Sequence, residues 1–158
     1  MGLKQILELG NFAQVGFVVK DIEATKKKYA LLFDCAEPDA SVCGEYKVMK
    51  TKIFGEPAPD ANCKLAFFDL MPGVQLELIE PNEASSVWRD HLEKYGEGIH
   101  HIAFHVKNGD EVVERLKNEF GAVVEQEGFY GDASGRYVYL SLQDELKCRI
   151  ELLESFND

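Results

Sequence analysis

The sequence predicts an α+β protein: two β-α-β-β-β modules whose strands form a curved mixed sheet around one metal-centred cavity. Three observations predict it. Gln14-Val-Gly-Phe-Val-Val19 aligns without gaps with His101-Ile-Ala-Phe-His-Val106, and Leu76-Glu-Leu-Ile-Glu80 aligns with Ile150-Glu-Leu-Leu-Glu154, so the chain carries an internal repeat. In each copy the first strand is followed at once by a helix start signal and then by further strand-like runs. Finally, the two copies place polar side chains at matching steps of otherwise apolar strands. Side chains alternate between the faces of a strand, so such residues lie opposite the helix-packed face.

In the first copy, Val15, Phe17 and Val19 alternate as a half-buried strand. Asp21 is placed to cap a helix over Ile22 to Phe33, with Ile22, Tyr29, Leu32 and Phe33 on one stripe and Lys26, Lys27 and Lys28 turned to water. Strands are then expected over Tyr46–Phe54, Lys64–Leu70 and Val74–Ile79. In the second copy, Ile102, Phe104 and Val106 alternate, and Asp110 is placed to cap a helix over Glu111 to Phe120 that Gly121 ends. Strands follow over Ala122–Glu127, Arg136–Leu142 and Arg149–Leu153. The first copy is longer by about a dozen residues, a difference that fits the turn-rich stretch Gly55–Asn62, since insertions fall in loops. Ser85 or Ser86 can cap a connecting helix carrying Val87, Trp88, Leu92 and Tyr95, stopped by Gly96. The organisation is therefore a module over residues 1–84, a connecting helix over 85–97 and a module over 98–158, in one compact duplicated domain.

Composition narrows the function. The chain has 158 residues, 46% of them hydrophobic, enough to bury a core. A net charge of −11 argues against nucleic acid and anionic membrane as partners, because both are bound by displacing counterions with basic side chains. A small-molecule substrate fits better. Cys35, Cys43, Cys63 and Cys148 have neither CxxC nor zinc-finger spacing and read as reduced thiols. No apolar run is long enough to span a membrane, and Met1 to Gly10 lacks the pattern of a signal peptide, so a cytoplasmic location is expected.

Strand parity groups Gln14 with Gly16 and Val18, His101 with Ala103 and His105, Gln75 with Glu77, and Arg149 with Glu151. If the sheet curves away from its helices, Gln14, Glu77, His101 and Glu151 line one cavity. A divalent cation is the simplest reason to converge an amide, an imidazole and two carboxylates, because buried unpaired carboxylates are costly and the ion neutralises both. Such a donor set suits Zn, Ni, Co, Mn or Mg. The bland alternative is a relic of duplication that no longer binds metal. His105 shares the ligand face as a cavity-lining residue or a hydrogen-bonded core histidine. Arg149 can pair a substrate carboxylate bidentately or form a structural ion pair. His100 reads as a strand-edge histidine and His91 as solvated among its charged neighbours. Gly128–Gly135 reads as a hairpin that can form a mobile cavity mouth.

These stretches, with Gly96-Glu-Gly-Ile-His-His-Ile-Ala-Phe-His-Val106 the most specific, resemble the vicinal-oxygen-chelate superfamily, which includes glyoxalase I, methylmalonyl-CoA epimerase, extradiol dioxygenases and bleomycin resistance proteins. The resemblance covers nearly the whole chain. It implies that Gln14, Glu77, His101 and Glu151 are the metal ligands, that Glu151, with Glu77 second, is the catalytic base, and that the protein is a homodimer. It further implies an enzyme that stabilises an enolate of a carbonyl or acyl-thioester substrate, epimerase-like, with a glyoxalase I-type lyase or a small-molecule-sequestering resistance protein as alternatives. Val18 stands where glyoxalase I commonly has an arginine, which favours the epimerase side.

Overall fold

The computed structural model describes residues 5–157, so the expectations about the chain start lie partly outside the described residues. Ten strands join in one curved, unclosed mixed sheet, in the order β2-β5-β6-β1-β7-β10-β9-β8-β3-β4. The first module supplies β1 (Phe12–Val18), α1 (Ile22–Phe33), β2 (Ser41–Val42), α2 (Tyr46–Met49), β3 (Lys52–Ile53), β4 (Glu56–Pro57), β5 (Cys63–Met71) and β6 (Val74–Pro81). The connecting helix is α3 (Val87–Tyr95). The second module supplies β7 (Gly98–His105), α4 (Gly109–Phe120), β8 (Val123–Phe129), β9 (Gly135–Ser141), α5 (Gln143–Leu146) and β10 (Arg149–Ser155).

The repeat is visible in the strand pairing. β1 runs parallel to β6 with Gln14 opposite Gln75 and Gly16 opposite Glu77, while β7 runs parallel to β10 with His101 opposite Arg149 and Ala103 opposite Glu151. The modules meet where β1 runs antiparallel to β7, with Gln14 opposite Ala103 and Gly16 opposite His101. Equivalent positions thus face one another across the seam, as a local two-fold axis between β1 and β7 requires.

Alternation sorts the side chains as expected. Val15 and Phe17 pack with Ile22, Ala30, Leu76 and Leu78 beneath α1, whereas Val18 joins Trp88, Ala103, Tyr139 and Leu153 in a core between the modules. Beneath α4, Val112 and Leu116 pack on Leu140, Ile150 and Leu152. Asp21 caps α1 by accepting the Ala24 N–H at 3.0 Å, and Ser86 caps α3 by accepting the Arg89 N–H at 2.9 Å. Each such cap contributes about 1 kcal/mol.

Several expectations are corrected. Tyr46–Phe54 is not one strand: residues 46–49 form the turn of helix α2, and Lys52–Ile53 crosses to the other module to pair with Gln126 and Glu127 of β8. Lys26 is not solvated, because the chain turns back after Asp34 and its ammonium donates to the Pro38 carbonyl at 2.9 Å beside Glu23 and Glu37. Leu32 is 73% exposed rather than part of the α1 stripe. Asp110 does not cap α4: the helix starts at Gly109, two residues before the expected Glu111, and the Asp110 carboxylate pairs with Arg136 at 2.8 Å. All four cysteines are free thiols. No helix among the described residues is long and apolar enough to cross a membrane.

Candidate functional site

Gln14 and Glu77 from the first module and His101 and Glu151 from the second converge from four adjacent strands, all buried. Ligand atoms of Glu77, His101 and Glu151 lie within 4.8 Å of one another. His101 Nε2 stands 3.0 Å from Glu151 Oε2 and 3.5 Å from Glu77 Oε1. Yet Gln14 Oε1, Glu77 Oε1, His101 Nε2 and Glu151 Oε2 are all buried without a hydrogen-bond partner, four of only five such side-chain atoms among the described residues. Buried polar atoms are almost always satisfied. Four orphans aimed at one point fit a cation, and two carboxylates, one imidazole and one amide oxygen suit a divalent ion at the border between hard and soft.

The histidine pair fixes which nitrogen faces that point. His100 Nε2 lies 3.1 Å from the Val87 carbonyl and therefore carries the hydrogen that it donates. Burial, then the neighbouring His101 and Arg149, hold the His100 pKa well below its ordinary value, so its Nδ1 is a bare acceptor. His101 Nδ1, 2.9 Å away, must then be the donor. The Nε2 lone pair of His101 is left for a ligand, an arrangement that orienting partners of metal-bound histidines commonly produce. Sequence reasoning placed His100 at a strand edge; it is fully buried, and its adjacency to His101 was the only signal.

Glycine makes room for the ring. A Cβ at Gly16 would lie 2.1 Å from His101 Cε1 and 2.5 Å from Nε2, so the imidazole occupies the space that any other residue would fill. The matching position in the second module is Ala103, opposite the slimmer amide of Gln14. Tyr139 packs edge-on to both histidine rings and accepts the Trp88 indole N–H at 3.0 Å, tying α3 to the floor of the site. Gln126, also missed from sequence, caps the Val87 N–H at 2.9 Å and donates to the Tyr137 hydroxyl at 3.2 Å.

Above the ligand set lies a cavity of about 460 Å³, lined by Gln14, Glu77 and Glu151 and by Met49, Phe67, Trp88, Phe129, Tyr130, Tyr137 and Tyr139. This is the size of an ordinary small-molecule site. His105 is exposed and lines its rim. The 128–135 hairpin forms as expected and brings Phe129, Tyr130 and Gly131 to the mouth. Arg149 is placed elsewhere: its Nε donates to Glu125 at 3.0 Å, its Nη1 contacts His91 Nδ1, and it does not line the cavity. The structural ion pair is the geometry observed. His91 is accordingly buried rather than solvated, and burial together with Arg149 lowers its pKa to about 4.

A family profile described as the glyoxalase/bleomycin resistance protein/dioxygenase superfamily matches residues 13–140. The chain belongs to that superfamily. Among curated proteins, the uncharacterised YqjC of Bacillus subtilis is 30% identical over 103 residues, 65% of this chain and 73% of that one. Among solved structures of the same fold, the methylmalonyl-CoA epimerase of Mycobacterium tuberculosis matches 98% of this chain and 93% of its own at 23% identity and a TM-score of 0.62. A variant methylmalonyl-CoA epimerase of Streptomyces coelicolor in complex with 2-nitronate-propionyl-CoA matches 92% and 97% at 22% identity and a TM-score of 0.64.

The paired carboxylates Glu77 and Glu151 have a pH signature. Burial, and then the Glu151 carboxylate, push the Glu77 pKa up to about 8. Burial alone would lower the pKa of His101, but the Glu151 and Glu77 carboxylates outweigh it and raise it. Both groups hold protons when folded that they release when unfolded, so the metal-free protein should lose stability as pH rises from the ordinary carboxylate range to about 8. A divalent ion held there would take the place of those protons, including the one that His101 Nε2 would share with Glu151 Oε2 at 3.0 Å in the metal-free protein. The rise in Tm on adding Mn to chelator-treated protein should therefore be larger at pH 8 than at pH 6, and an equal rise at both would count against this protonation scheme.

Proposed function

We propose that the protein is a divalent-metal-dependent enzyme that removes and returns a proton on the carbon next to a carbonyl, as methylmalonyl-CoA epimerase does with its acyl thioester. The observation that carries this is the convergence of four orphaned ligand atoms, two of them on carboxylates, at the floor of a half-open cavity. His101 Nε2, Gln14 Oε1 and the two carboxylates would hold the ion. Bound there, it would supply positive charge that stabilises the substrate oxygen on which negative charge gathers as the proton leaves.

The remaining work falls to the protein. Glu151, on the cavity lining, accepts the proton from carbon and can return it. Glu77 faces it from the other module and offers a second carboxylate from which a proton could reach the opposite side of the same carbon. Aromatic walls exclude water, so the carbanion-like species meets few adventitious proton donors. Val18, which is wholly buried in the core and offers no surface for a glutathione carboxylate, supports this reading over a glutathione-dependent lyase.

The test is solvent exchange. Metal-loaded protein incubated in D2O with a panel of 2-substituted acyl thioesters should incorporate deuterium at the carbon next to the carbonyl. Chelator should stop the exchange and added ion restore it. Stoichiometric metal with no exchange anywhere in the panel would remove support for an enzyme and favour a sequestering member of the superfamily.

A further inference from the structure

We infer that the group seated in the cavity is an uncharged, apolar acyl group, aromatic or branched aliphatic, rather than a dicarboxylate such as a malonyl derivative. The inference rests on the proposed metal-dependent reading and names the substrate class of that site.

Among the described residues that line the cavity, the charged side chains are Glu77 and Glu151, with His105 at the rim. Two carboxylates cancel a divalent ion, so the filled centre has no net charge to offer. Proton removal leaves that total unchanged, because Glu151 becomes neutral as the substrate oxygen becomes negative. A carboxylate on the substrate would then be the first uncompensated charge, in a space walled by Phe67, Phe129 and Tyr137, and burying an unpaired carboxylate is strongly unfavourable.

The two arginines on strands β9 and β10 are already committed, and Lys50 and Lys52 are exposed and line a separate recess rather than the cavity. Arg149, on the same strand as Glu151, is held by Glu125 and His91 with its side chain 10% exposed. Arg136 is held by Glu154 at 2.7 Å and Asp110 at 2.8 Å. Recruiting either would strand a partner carboxylate or imidazole that is now satisfied. The rim histidine also borders a smaller recess of about 180 Å³ that it shares with Asp69, which sets a further negative group at that opening.

Two hydroxamates separate the cases, because both chelate a metal through the same two neighbouring oxygens while one carries a phenyl ring and the other a carboxylate. Mn-loaded full-length protein is titrated by calorimetry with phenylacetohydroxamate and with the monohydroxamate of malonate. Phenylacetohydroxamate should bind at least tenfold more tightly, and Phe67→Ala, at a 38% exposed position that the fold can spare, should narrow the ratio. Equal or tighter binding of the malonate probe overturns the inference while leaving the metal reading intact, and an unchanged ratio in Phe67→Ala overturns the role assigned to the aromatic wall. Failure of both probes to bind removes the metal-dependent reading and this inference with it.

Discussion

Glu151→Gln should lower deuterium exchange by about 10²–10⁴-fold, the range that a positioned general base contributes, while the protein keeps near-stoichiometric metal. An amide oxygen can still face the ion's place, as the Gln14 amide does from the neighbouring strand β1, but it cannot accept a proton at neutral pH. Glu77→Gln should retain more activity. Elemental analysis and exchange rates on the same samples distinguish the alternatives. If the two variants behave in the opposite order, the proton leaves toward the first module, and if both match the wild type, neither carboxylate is the base. Comparing kcat with KM sharpens the result, because loss of a proton acceptor lowers kcat with little change in substrate binding.

Gly16→Ala should abolish stoichiometric metal binding although residue 16 supplies no ligand. Its methyl group would lie 2.1 Å from His101 Cε1, and the ring has nowhere to retreat: His100 holds Nδ1 at 2.9 Å and Tyr139 packs against the ring with centroids 5.2 Å apart. Overpacking of this kind costs about 1–3 kcal/mol, and each kcal/mol lowers Tm by about 2–4 °C at this size. Ala103→Gly, the matching change in the second module, should leave the metal in place. Full occupancy in Gly16→Ala with an unchanged melting curve would falsify the packing account of the histidine's position.

Local rules sufficed where a residue's role depended on its own strand. Period-two alternation put Gln14, Glu77, His101 and Glu151 on faces that the structure brings together, and the caps at Asp21 and Ser86 stand where their spacing put them. The misreadings share one cause, a decision made by residues far away in sequence. Residues 46–53 alternate well enough for a strand, but the partner that accepts Lys52 and Ile53 is β8 in the other module. His91 sits among charged neighbours on α3, and only the fold reveals that its ring turns inward to Arg149, some 58 positions away. Asp110 has the chemistry of a cap, yet Arg136 claims its carboxylate first. For His100, the strand was legible but not the Val87 carbonyl that sets the proton order along the pair.

The local two-fold axis between β1 and β7 has a consequence for stereochemistry. A fully symmetric duplicate would present a substrate with two interchangeable carboxylates and could not tell one face of a planar carbon from the other. Among the four ligand positions the symmetry is broken at one pair, an amide at position 14 against an imidazole at position 101, and Glu151 stands closer to that imidazole than Glu77 does, at 3.0 Å against 3.5 Å. On the proposed reading, the two-fold-related placement of Glu77 and Glu151 would let the proton reach both faces of the carbon, while the unequal pair would give the two faces different acidities. Duplication would then supply reach, and divergence at the Gln14/His101 pair would supply handedness.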